Sequence, residues 1–139
     1  MAASLQVALI TPKAQKADMF AGALIAPSST GQVTILPGHA ALLTTLAAGA
    51  IVIEGEGPAQ RFFTAGGLLE VQQDRALLLL QSAERLEDID VTRAEQELAS
   101  AQTRLGQLSG PEHPEYAKQS QRLTRAMARL DMVRTFLRA

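Results

Sequence analysis

Residues 82–98 read SAERLEDIDVTRAEQEL, and within them the chain changes from one periodicity to another. From Asp90 onward, Val91, Ala94, Leu98, Ala101, Leu105 and Leu108 recur at spacings of three and four, one apolar seam along a helix. Asp90 is the expected N-cap, because its carboxylate can accept hydrogen bonds from amides of the first turn that have no helical partner. SGPEHPE (109–115) breaks this helix with two prolines and a glycine. A second seam follows through Leu123, Ala126, Leu130, Val133 and Leu137. Two seams of similar length joined by a short breaker predict an antiparallel helical hairpin. Several seam positions are alanine, so the hairpin is expected to be marginally stable and able to open.

Upstream of residue 84 the pattern is that of short strands. LQVALI (5–10), GALIAP (22–27), QVTIL (32–36), AIVIE (50–54), QRFFTA (60–65), LLEVQ (68–72) and ALLLLQ (76–81) are each strand-sized. The segments PSSTG, PGH, EGEGP, AGG and QQDR between them supply turn chemistry. Many short strands at this spacing predict an antiparallel sandwich or barrel. The expected fold is α+β: a β-sandwich over residues 1–86, then a two-helix hairpin over 87–139.

With 139 residues and 47% hydrophobic composition, the chain can bury a core. It has no cysteine, which excludes disulfides and thiolate metal sites. A net charge of −1 argues against nucleic acid as a general partner. No apolar run approaches the ~20 residues of a membrane span. MAASLQVALITPK lacks the basic region and apolar length of a secretory leader, so a soluble cytosolic protein is expected.

His39, in the turn Pro37-Gly38-His39, could be a catalytic base, a metal ligand or part of a corner. Catalysis needs a partner and an orienting group. The hydroxyls of Ser28, Ser29, Thr44 and Thr45 are the local candidates for a hydrolase, and none has an evident orienting acid. The other histidine, His113, stands at no metal-ligand spacing from it. AGG (65–67) leads into a strand and lacks the Lys-Ser/Thr of a phosphate loop, which favours a tight turn. On the second helix, Lys118, Arg122, Arg125 and Arg129 form a cationic stripe. It is either a solvated face or a strip for an acidic partner or phosphates. A small-ligand-binding sandwich with a helical lid is the rival architecture.

TP (11–12), ILPGHAALLTTL (35–46), GGLLEV (66–71), SAERLEDIDVTRAEQEL (82–98) and LTRAMARL (123–130) together resemble the epsilon subunit of bacterial F-type ATP synthases. The resemblance spans nearly the whole chain. It implies a non-catalytic rotor subunit, peripheral on the cytoplasmic face of the bacterial plasma membrane. The sandwich would dock on the gamma subunit and on the c ring, through Gly31, Gln32, Pro37, Gly38 and His39. Gln32 replaces an acid that is common in the family. The hairpin would inhibit ATP hydrolysis when extended, with Arg122, Arg125 and Arg129 meeting acidic surface of the alpha/beta catalytic head. No cofactor or metal is required. Some relatives bind ATP through an I/L-D-x-x-R-A motif, matched here by Ile89, Asp90, Arg93 and Ala94. Glu84, Arg125 and Arg129 match further positions, whereas Ser100 stands where the binders place an arginine. Weak ATP binding at best is therefore implied.

Overall fold

The computed structural model describes residues 4–137. The chain forms two compact units, the first reaching Leu86 and the second beginning at Glu87.

The first unit contains β1 (Leu5–Ile10), β2 (Gln15–Ala21), β3 (Ala23–Ser28), β4 (Gly31–Ile35) and β5 (Leu42–Leu46). It continues with β6 (Gly49–Glu54), β7 (Gln60–Thr64), β8 (Gly67–Gln72), β9 (Arg75–Leu80) and the short β10 (Glu84–Arg85). The hydrogen-bonded order is β10-β7-β6-β3-β5-β8-β9-β1-β2, with β4 on the side against β3. β3 meets β5 only at Ser28 opposite Leu46, so that pair is the corner where one half of the sandwich passes into the other. The pairings are antiparallel except β1 with β9, which run parallel.

Alternation explains the core. Leu5, Val7 and Leu9 of β1 are buried while Gln6, Ala8 and Ile10 are half-buried. Leu69 and Val71 of β8, and Leu78 of β9, enter the same core with Leu24, Ile51 and Phe62. Burying a large aliphatic or aromatic side chain contributes about 1.5–3 kcal/mol, so this cluster dominates the unit's stability. In β6 and β7 the alternation fails: Ile51-Val52-Ile53 and Phe62-Phe63-Thr64 are buried in succession. Both faces are therefore shielded there.

Three strands that the patterning does not announce are β2, β5 and the two-residue β10. In β2, Ala17 and Met19 pack inward, while Phe20 faces solvent and reverses the apparent polarity of the strand. In β5, Leu42 is partly buried against the core but Leu43 is 69% exposed, which erases the period of two. AGG is the entry to β8, as a turn. Gly66 has φ +132, and the Thr64 hydroxyl brackets it by donating to its carbonyl and accepting its N–H.

After a 3₁₀ turn at Leu86–Asp88, the second unit consists of α1 (Val91–Gln107) and α2 (Tyr116–Leu137). Asp90 caps α1, accepting the Arg93 N–H at 3.1 Å. The packed seam is narrower than the periodicity implies. Ala94 and Ala101 are the buried residues of α1, and Gln119, Ala126, Met132 and Val133 those of α2, Met132 standing about 100° round from Val133 and so outside the seam line. Gln119, Ala126 and Val133 lie seven apart, as do Ala94 and Ala101, so each helix presents a line containing small residues. Leu137, expected in the seam, is 58% exposed. An alanine seam removes little apolar area from water, so the hairpin gains correspondingly little from burial.

Candidate functional site

His39 follows a glycine held at φ +86, a conformation that side chains rarely adopt. Its N–H donates to the Leu36 carbonyl at 3.1 Å, and its exposed ring places Nδ1 2.7 Å from the Ala40 carbonyl oxygen. The Gly38 N–H donates to Asp74 Oδ1 at 2.6 Å. Asp74 belongs to the β8–β9 turn, in which Gln73 and Asp74 both have positive φ, 50° and 59°. The His39 turn is thus anchored at the end of the sandwich that carries the β8–β9 turn.

Gly31 and Gln32 lie elsewhere. Gly31 pairs with Ser28, and Ile35 with Leu24, so β4 runs from one end of the sandwich to the other, ~13 Å over its length. The Gly31 end holds a group of hydroxyls. Ser28 bonds Thr30 and the Gly31 carbonyl, and Ser29 bonds Thr45. Gly31 and Gln32 thus stand about one strand length from Pro37, Gly38 and His39. The same separation removes Ser28, Ser29 and Thr45 as partners of His39, and the Thr44 hydroxyl donates to the Thr45 carbonyl.

An apolar row crosses the outer face of β1, β9 and β8. Ile10 stands opposite Leu79, and Leu79 opposite Leu68. Leu79 and Leu68 are 44% and 42% exposed; Leu43 on the adjoining β5 is exposed as well, directly opposite Glu70 and diagonal to Leu68. Neighbouring exposed apolar side chains are a candidate interaction surface. The sequence alone does not say which face of the sheet these residues take; the strand register turns them outward.

The residues of the I-D-x-x-R-A motif divide as follows. Ile89 is buried and Ala94 is in the helix seam. Asp90 spends its carboxylate on capping, and the Arg93 Nε pairs with Glu97 at 3.3 Å. Glu84 is on β10 in the first unit, opposite Phe63 of β7. Arg93, Glu97, Ser100 and Arg104 follow one stripe of α1; Arg122, Arg125 and Arg129 follow one stripe of α2. A groove of about 540 Å³ between the helices is lined by Val91, Glu95, Leu98, Met127, Leu130 and Asp131, among others. On both helices its residues are about half a turn from the two stripes, so the motif arginines lie on the opposite side of the hairpin.

Where the helices join, Arg104 of α1 donates to the Glu115 carboxylate. That bond, above all, holds the Glu115 pKa below its ordinary 4.5, against the opposing effect of desolvation; the charges of Arg104 and Lys118, and of His113 when its ring is protonated, add to the lowering.

Known families match both units in order. Residues 4–86 match the ATP synthase delta/epsilon chain beta-sandwich domain, and residues 87–134 the ATP synthase delta/epsilon chain long alpha-helix domain. The chain belongs to the ATP synthase epsilon-chain family. The ATP synthase epsilon chain of Synechococcus sp. is 39% identical over 127 residues, 91% of this chain and 94% of that one. Epsilon chain 2 of Syntrophotalea carbinolica is 36% identical over 132 residues, 95% of each chain. Among solved structures, a chain of the Euglena gracilis mitochondrial ATP synthase (OSCP/F1/c-ring) superposes with a TM-score of 0.82 at 19% identity, covering 92% of this chain and 80% of that one. A chain of the Tetrahymena thermophila central stalk and c-ring gives 0.62 at 15% identity, covering 91% and 94%. These two show a shared fold. Among the described residues, no helix is long and apolar enough to cross a membrane.

Proposed function

We propose that this chain is a non-catalytic rotor subunit of an F-type ATP synthase, peripheral on the cytoplasmic face of the bacterial membrane. It couples gamma to the c ring and restrains ATP hydrolysis through its helices. The observation that carries the docking role is the outward row of Ile10, Leu79 and Leu68 with Leu43, an apolar face that a partner would cover. We assign that face, with exposed Leu36 beside the His39 turn, to gamma. The hydroxyl-rich Gly31–Gln32 end is assigned to the polar loops of the ring. The cationic stripe of Arg122, Arg125 and Arg129 is assigned to acidic surface of the catalytic head, reached when the hairpin lengthens. ATP is at most a weak regulatory ligand, held by Arg93 and the α2 arginines on the side of the hairpin away from the groove.

The test is reconstitution with gamma and the catalytic head. The full chain should co-purify with gamma and lower ATP hydrolysis. A chain ending near Asp88 should still co-purify but no longer inhibit. Replacing Arg122, Arg125 and Arg129 together by alanine should relieve inhibition in part, since exposed pairs contribute only ~0–1 kcal/mol each. Failure of the full chain to bind gamma would overturn the rotor assignment; unchanged inhibition in the triple variant would remove electrostatics as its mechanism.

A further inference from the structure

The connection between α1 and α2 carries a hydrogen bond that the rotor reading does not use. His113 is half-buried in the turn. Its main-chain N–H donates to the Gly110 carbonyl, and its carbonyl accepts the Tyr116 N–H, each at 3.0 Å. Its ring Nδ1 accepts the main-chain N–H of Glu115 at 3.1 Å. That amide precedes the first residue of α2 and has no acceptor within the helix. The imidazole is therefore the cap that satisfies it.

An imidazole nitrogen accepts a hydrogen bond only when it carries no proton. The Glu115 contact thus specifies a neutral ring with its proton on Nε2. Four charged groups and one phenol surround the turn. Glu112 lies against Gly110, Glu115 is tied to Arg104 of α1, Lys118 stands in the first turn of α2, and Tyr116 opens that helix. A proton on Nδ1 would set one donor against another. It would also place positive charge at a helix N-terminus, where the helix dipole opposes it. The Glu115 carboxylate, already engaged by Arg104, is close enough for an imidazolium at His113 to act on it.

We propose that His113 is a proton-operated latch of the hairpin turn: the neutral ring caps the start of α2, and the imidazolium releases the Glu115 amide. Histidine is the side chain whose ordinary charge change falls between pH 5 and 8, which is why the test below spans that range. Its bearing on hydrolysis rests on the rotor reading, because the turn is where the helices part when the hairpin lengthens. The latch itself does not depend on that reading.

The chain has two histidines, which makes the test clean. Amide protection of Glu115, corrected for the intrinsic pH dependence of exchange, is measured by NMR on the full chain at pH 7.5 and 5.5. Loss of one hydrogen bond should lower it roughly two- to tenfold at the lower pH. The drop should persist in His39→Gln and vanish in His113→Asn, whose amide oxygen accepts at either pH. A flat wild-type response, or an unchanged drop in His113→Asn, overturns the proposal. Ring nitrogen shifts of the wild type give an independent reading: at pH 7.5 the proton must be on Nε2, and an Nδ1–H form sinks the latch whether or not a variant folds. A working latch with hydrolysis insensitive to His113→Asn would count against the regulatory reading alone.

Discussion

The Asp74 carboxylate accepts the Gly38 N–H at 2.6 Å, tying the turn that presents His39 to the β8–β9 hairpin. The main-chain carbonyl of Asp74 also accepts the Gln6 N–H at 2.9 Å, so β1 is joined to the same corner. Asp74→Ala loses the acceptor and places alanine at φ +59, with an expected cost of about 1–2 kcal/mol. Asp74→Asn keeps an acceptor and tolerates that φ, so it should lose less than half as much. Urea denaturation of the two variants checks the order; equal losses would contradict it.

Gly67 admits no side chain. A Cβ there would stand 2.2 Å from the Leu79 carbonyl oxygen and 2.9 Å from the Leu80 Cα, both backbone atoms of the neighbouring strand. Gly67→Ala should therefore cost at least about 2 kcal/mol, through displacement of β8 from β9. Gly57→Ala is the control, because its Cβ would meet nothing within 4 Å. Thermal melts should show a change within roughly 0.5 kcal/mol for that variant.

Arg104 and Glu115 predict an acid-sensitive contribution to the hairpin. The folded pKa of Glu115 lies below the ordinary 4.5, chiefly because Arg104 donates to its carboxylate. A carboxyl depressed in this way stabilises the folded form above its unfolded pKa, and that stability is lost as pH falls through the folded value. Wild type should thus exceed Arg104→Ala in helix stability at pH 6–7, with the gap closing below about pH 4.5. Ellipticity at 222 nm during melting reports it. A gap of the same size at pH 3 and pH 7 would exclude the ion pair as its source.

Ser100 lies on the α1 stripe that carries Arg93 and Glu97, on the side of the hairpin shared with Arg125 and Arg129. Ser100→Arg should tighten ATP binding by about one to two decades, since a hydrogen bond to a charged group contributes roughly 1.5–3 kcal/mol. Calorimetry at millimolar ATP on the full chain decides. Equal affinity in wild type and variant would mean that no phosphate pocket forms there, leaving Asp90 to cap α1 and Arg93 to pair with Glu97.

The sequence by itself determined the two-part division, the sandwich-then-hairpin class and the capping of α1 by Asp90. These depend on local periodicity and on a side chain bonding three residues along its own chain, and both are written in adjacent letters. Strand register was not available from the letters, because it is set by partners tens of residues away. Which leucines of LLEVQ and ALLLLQ face the core was therefore left open, and Leu68 and Leu79 face outward, while exposed Phe20 hid β2. The Gly31 and His39 turns, close in sequence, are parted by the length of one strand, while Gly38 and Asp74, 36 residues apart, are joined. The hairpin seam also needed the fold. Helical periodicity marks every apolar residue on a face, but only the approach of a second helix selects Ala94, Ala101 and Ala126, the ones small enough to sit where the backbones come together.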